Sequence, residues 1–169
     1  LLGFICMFIF LLIDYRSLKL IAPYLLIVSF LLLIFTKSYY LLVDNAKPAR
    51  WLSIGGFSIQ TSDIARLSLI VFLSYYLDQL KLQIKNFKSG FLPCIIIIAL
   101  MMALIVIQPD FSTALIIGAI GTIILFIAGA KITHILISTL FAIIMSIPIV
   151  YFKPYRLARI LSFFDKSDI

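Results

Sequence analysis

The chain has 169 residues, of which 64% are hydrophobic and only 12% charged, with a formal net charge of +7. Together with a mean hydropathy of +1.22, this composition excludes a soluble domain with a solvated surface and points to an integral membrane chain. Glutamate is absent and all seven acids are aspartates, which excludes a paired-glutamate mechanism within the chain.

Taken in order, the apolar runs predict a partial span over 1–13 and complete spans over 20–35, 59–77, 91–107, 111–129 and 132–152. The last three approach the ~20 apolar residues that an α-helix needs to cross the hydrocarbon core. A barrel would alternate polar and apolar in ~10-residue strands, a pattern missing here. The expected fold is therefore all-α, a polytopic transmembrane helical bundle with five complete spans plus a partial one, in a single transmembrane domain. Its connectors are 14–19, 78–90, the tight Gly129-Ala130-Lys131 turn and a longer outer loop, 36–58, rich in Gly, Pro and Tyr. The stretch 153–169 reads as the start of a large outer loop. Because the chain opens on Leu1 inside an apolar run and stops within a polar one, we expect a piece of a longer protein, truncated at both ends. Segment 1–13 does not read as a signal peptide, since it has no basic n-region and no small-residue cleavage site.

Alternate connectors carry Arg16, Lys19, Lys81, Lys85, Lys88 and Lys131, which predicts that this side is cytoplasmic. The other side carries Lys37, Lys47 and Arg50, and then Lys153, Arg156, Arg159 and Lys166. Those outer cations either snorkel at the interface or serve an anionic partner. Cys6 and Cys94 lie within predicted spans as small apolar residues, and His134 has no Cys or Glu neighbour, so no metal site is expected.

Three polar constellations interrupt the runs. In "ARWLSIGGFSIQTSDIAR", residues Gln60, Asp63 and Arg66 are spaced i, i+3, i+6, which on a helix starting near Ile59 makes a polar stripe along one side. A charge at bilayer depth costs roughly 2.5–3.5 kcal/mol on insertion scales, so Asp63 and Arg66 should face each other, a polar cavity or another helix. A structural ion pair and a ligand site fit this pattern equally. Beside Arg50, Trp51 suits either belt anchoring or sugar stacking. Next, Gln108-Pro109-Asp110 predicts a sharp helix–turn–helix in which Asp110, Ser112 and Thr113 cap the following helix. Asp110 falls in the same predicted layer as Arg50, and a carboxylate orienting an arginine is the other reading. Last, in "KPYRLARILSFFDKSD", Arg156 and Arg159 are i, i+3 on an amphipathic interfacial helix. Such a pair suits a diphosphate or bulk anionic lipid.

These segments, in this order, resemble the SEDS family (shape, elongation, division and sporulation) of FtsW/RodA/SpoVE-like cell-wall polymerases, nearer the FtsW branch. The likeness rests on "ARWLSIGGFSIQTSDIARLSL", "VIQPDFSTALI", "LFIAGAKITHI" and "KPYRLARILSFFD" and covers nearly the whole chain. Departures are Thr61 where the family usually has Pro, Asp63 where it has Glu, Ser112 where it has Gly, and Ala49, Lys47 and Lys166 at positions usually Arg, Gly and Pro.

The resemblance implies a multi-pass protein of the bacterial cytoplasmic membrane that polymerises lipid II on an undecaprenyl diphosphate carrier during division or elongation. Its implied partners are a class B penicillin-binding protein and divisome or elongasome membrane proteins, with no nucleic acid. The chemistry is attack of a sugar hydroxyl on an anomeric carbon with diphosphate leaving, which needs a general base and cationic stabilisation. The family's catalytic aspartate falls beyond residues 163–168, so no catalytic residue is expected in this chain, which alone should be inactive, and no cofactor is required of it. Arg50, Arg66, Arg156 and Arg159 remain as diphosphate or carrier contacts, with Trp51 and Gln60 beside them and Asp63 and Asp110 as orienting carboxylates. Two rival readings stay open, a flippase for the lipid-linked precursor and a non-catalytic scaffold.

Overall fold

A computed structural model describes residues 14–42, 51–54 and 57–151, with positions 4, 7, 8, 11 and 12 of the first apolar run. It resolves into two units, residues 1–130 and 131–169, and helices dominate the described residues of each.

In the first unit, a 3-10 turn at Tyr15–Ser17 leads into α1, Leu18–Leu42. Asp14 starts it: its carboxylate accepts from Arg16 N and its carbonyl from Ser17 N, both at 2.9 Å. Pro23 is tolerated in the second turn, where it removes one backbone donor. The helix buries Ala22, Leu26, Ser29, Leu33 and Thr36, and these 4-3-4-3 steps trace the seam of a left-handed helix pair.

The partner on that seam is α2, Thr61–Leu80, which buries Ala65, Ser68, Leu69, Leu73 and Leu77. Small residues let the two backbones approach, and a hydrogen-bonded chain stitches them: Ser68 Oγ donates to Ser29 Oγ at 2.8 Å, and Ser29 Oγ to Leu26 O at 2.7 Å. The antiparallel sense is fixed at one end by Lys19 Nζ on Asp78 Oδ2, 2.7 Å apart.

Between α1 and α2 the structure departs from the expected loop 36–58. The first helix continues to Leu42, and a hairpin follows, β1 (Trp51–Ile54) against β2 (Phe57–Gln60), with Trp51 opposite Gln60 and Ile54 opposite Phe57. Consequently α2 begins at Thr61 rather than at the expected 59, and Gln60 is its N-cap residue. Gln60 in extended geometry still belongs to the hairpin ladder, which competes with the helix for the same backbone.

The connector after α2 is a 3-10 turn, Lys81–Lys85, and a π turn, Phe87–Phe91. It runs straight into α3, Leu92–Ile107, which has Pro93 in its first turn, where a missing N–H costs nothing. Phe87–Ile107 and Leu18–Tyr39 are each long and apolar enough to cross a membrane. A sharp turn at Gln108-Pro109 leads to α4, Phe111–Ile127. The faces of α3 and α4 meet through Ile98 and Met102 against Gly121 and Gly118; a Cβ on Gly121 would sit 2.7 Å from Ile98 Cδ1. The fourth helix ends in a Schellman motif: Gly129 (φ +84°) donates to Phe126 O at 3.0 Å and Ala130 to Leu125 O at 3.1 Å.

The second unit holds α5, Ile132–Tyr151, started by Lys131 O accepting from His134 N at 3.0 Å, with Pro148 near its far end. The predominantly helical, apolar architecture agrees with the all-α expectation; the hairpin is the element it lacked.

Candidate polar site at the helix N-termini

The N-termini of α2 and α4 lie at the same end of the first unit, and the polar residues gather there. Asp110, 4% exposed, uses both carboxylate oxygens. Oδ1 accepts from Thr113 N at 3.4 Å and caps α4, while Oδ2 accepts from Gln60 Nε2 at 3.3 Å. Gln60 Nε2 also donates to Ser62 Oγ at 2.9 Å. The capping expected of Asp110 is present, and the same side chain joins two segments fifty residues apart.

Gln108, 1% exposed, donates from Nε2 to Leu33 O of α1 at 2.8 Å. Its neighbour Asp110 donates its backbone N–H to Ile105 O at 3.3 Å, which closes the turn over the end of α3. At this end of the first unit two buried polar atoms have no partner among the described residues, the acceptor Gln108 Oε1 and the hydroxyl Thr61 Oγ1. An open buried acceptor costs about 1–3 kcal/mol, so it marks either a stored cost or a place for a donor. Sequence reasoning named the Gln108-Pro109-Asp110 turn but gave Gln108 no role, because its partner is a backbone carbonyl with no sequence signature. Thr61 and Ser62 were passed over as helix-start residues.

The expected stripe divides in two. Asp63 and Arg66 face each other within one helical turn, Arg66 Nη2 lying 2.7 Å from Asp63 Oδ1, with side chains 51% and 35% exposed. Gln60 is turned away toward Asp110, because as N-cap residue it does not share the helical phase of the other two. An ion pair inside one helix neutralises two charges without tying helices together. Trp51 is 41% exposed and sits opposite Gln60 in the hairpin register. Arg50, Arg156 and Arg159 lie outside the described residues. A groove of about 260 Å³ lined by Ser74, Leu77, Ile124, Ile127 and Ala128 lies toward the opposite ends of these helices and offers no charged group. Among the described residues no group of three or more His, Cys or Asp side chains could hold a metal ion.

A family model and three relatives decide what this chain belongs to. A family model described as "Cell cycle protein", FtsW/RodA/SpoVE, matches residues 1–168. The chain belongs to the FtsW/RodA/SpoVE family. Among its relatives, a protein of Geobacter sp. (strain M18) named "Probable peptidoglycan glycosyltransferase FtsW" is 35% identical over 168 residues, 98% of this chain and 45% of the relative. "Stage V sporulation protein E" of Bacillus subtilis (strain 168) is 29% identical over 163 residues, 96% of this chain and 44% of the relative. A second "Probable peptidoglycan glycosyltransferase FtsW", from Trichlorobacter lovleyi, is 31% identical over 156 residues, 92% of this chain and 41% of the relative. The chain thus spans a little under half the length of the relatives it matches. Family membership and the apolar helices make it an integral membrane protein of a cell-wall glycosyltransferase family. In FtsW/RodA/SpoVE terms, the contact of Gln60 with Asp110 joins the two segments that carried the resemblance, "SIQTSDIAR" and "QPDFST".

Proposed function

We propose that this chain supplies the supporting part of a lipid II polymerising site in the bacterial cytoplasmic membrane, acting in peptidoglycan synthesis during division or elongation. The observation that carries the reading is the part-buried Gln60–Asp110 contact, which draws two family-like segments to one end of the first unit. Names of the relatives in Geobacter and Trichlorobacter supply the reaction class.

In this reading the apolar helices form a polytopic bundle, with 20–35, 61–77, 91–107, 111–129 and 132–152 as complete spans and 1–13 as a partial one. Arg50, Arg66, Arg156 and Arg159 contact the diphosphate or its carrier, with Trp51 at the interface. Asp63 holds Arg66, while Gln60 and Asp110 set the junction on which these contacts stand. Glycosyl transfer needs a base for the incoming hydroxyl and cations for the leaving diphosphate. The arginines answer the second need, and no residue here is assigned to the first. No cofactor is asked of this segment. The partners proposed are a class B penicillin-binding protein and other divisome or elongasome membrane proteins.

The test is reconstitution of the full-length protein in liposomes with lipid II on the outer face. Glycan chains made from it support the reading. Translocation of lipid II with no polymer would assign a flippase, and neither activity would leave a scaffold.

A further inference from the structure

The connector between α2 and α3 is folded too closely to be a solvated loop. Its 3-10 turn (Lys81–Lys85) and π turn (Phe87–Phe91) lie back on each other, and a Cβ on Gly90 would run into the Gln83 carbonyl. Asn86 O accepts from both Gly90 N and Phe91 N at 3.1 Å. Ile84 and Phe91, 2% and 1% exposed, plug the knot into the first unit from behind.

What the knot shows outward is mixed in a particular way. Lys81, Lys85 and Lys88 are exposed, spaced i, i+4 and then i+3, and interleaved with Leu82 and Phe87, which are 78% and 47% exposed. No acidic residue occurs in 79–91. Among the described residues no carboxylate is ion-paired with these three lysines; the nearby Asp78 bonds to Lys19, and Lys81 acts on it only through its charge. The knot also has a defined depth. Phe87–Ile107 is 21 residues and long enough to cross a membrane, about 30 Å of helix for about 30 Å of hydrocarbon, and a span so placed would put Phe87 and Lys88 at the boundary where headgroup phosphates begin.

We propose that the Lys81–Phe91 knot is a docking surface for anionic phospholipid of the leaflet at that end. Lys81, Lys85 and Lys88 take the phosphate oxygens, and Leu82 and Phe87 enter the acyl boundary. Exposed apolar side chains between the lysines favour lipid over an acidic protein face, which would leave Leu82 and Phe87 in water. A folded, plugged connector fixes the backbone that carries the three lysines, so that part of the ordering cost is already met.

The experiment titrates full-length protein in detergent with dioleoylphosphatidylglycerol or dioleoylphosphatidylcholine and counts bound lipids by native mass spectrometry. Wild type is expected to prefer phosphatidylglycerol. K81Q/K85Q/K88Q should lose about a hundredfold of that preference, and each single variant about fivefold, on the scale of about 1 kcal/mol per basic residue near an anionic surface. The double variant R16Q/K131Q, which removes two basic residues expected at the same leaflet but outside the knot, should lose far less. No headgroup preference in wild type would overturn the proposal and leave the lysines to an acidic protein. An unchanged preference in the single and triple variants would also overturn it, as would an equal loss in R16Q/K131Q, which would assign the effect to net charge.

Discussion

Asp110 is asked to do two things with one carboxylate, and the two can be separated. Asp110→Ala removes the cap on α4 and the acceptor for Gln60, and should cost about 1–2 kcal/mol in unfolding of the detergent-solubilised protein. Asp110→Asn keeps an acceptor oxygen for the cap and should recover most of that loss. Thr61 is the opposite case. Its buried hydroxyl has no partner among the described residues, so Thr61→Val should stabilise by about 1–3 kcal/mol if nothing else reaches it. A loss of stability instead would show that the full-length protein places a donor there. Thr61 is also the first residue of α2, the one helical position that welcomes proline, which explains how the family's usual Pro and this Thr occupy the same place. At this scale the sequence was partly legible. The cap at Asp110 followed from residue type and the turn before it, and the mutual facing of Asp63 and Arg66 from their spacing. Gln60 was misread, because spacing alone cannot tell a first-turn residue from the N-cap residue that precedes it.

At the scale of elements, the apolar runs announced the helices, since a run without charge leaves few alternatives in a chain of this composition. The hairpin was hidden for a physical reason. Trp51–Ile54 and Phe57–Gln60 are four residues each, and the polar run Gln60-Thr61-Ser62-Asp63 crosses from β2 into α2 with no Gly or Pro to punctuate it, so composition draws no boundary between strand and helix. The connector was equally opaque: polar composition shows that 78–90 leaves the membrane, but not that Gly90 must pack on a backbone carbonyl. Gly90→Ala should therefore destabilise by about 1–3 kcal/mol despite the mildness of the change, because the obstacle is main chain and cannot rotate away. The Lys19–Asp78 contact that orders α1 against α2 makes a pH prediction. Hydrogen bonding and charge attraction from Lys19 hold the Asp78 carboxyl below the usual carboxylate range, with Lys81 adding to it. A carboxyl lowered in the folded state contributes stability above its unfolded value and loses it as pH falls through the folded one. Unfolding should thus be indifferent to this pair from neutral pH down to the usual carboxylate value. Only below it should wild type approach Asp78→Asn. Both partners are exposed, so high salt should shrink the difference.

For the whole molecule, the account is that two separated segments are brought to one end to support transfer from a lipid-linked diphosphate. Family membership was legible because four motifs stand in register along 1–168, whereas three of the proposed arginine contacts, Arg50, Arg156 and Arg159, lie outside the described residues. The junction itself is open to measurement through Gln60 and Asp110. Polymer yield from lipid II by the full-length protein in liposomes should be determined for wild type, Gln60→Ala, Asp110→Asn and the double variant. The account predicts that wild type makes glycan chains, that each single change lowers the yield, and that the double variant loses no more than the worse single, as residues acting through one contact should. Translocation without polymer in wild type, or yields unaffected by either change, would contradict it.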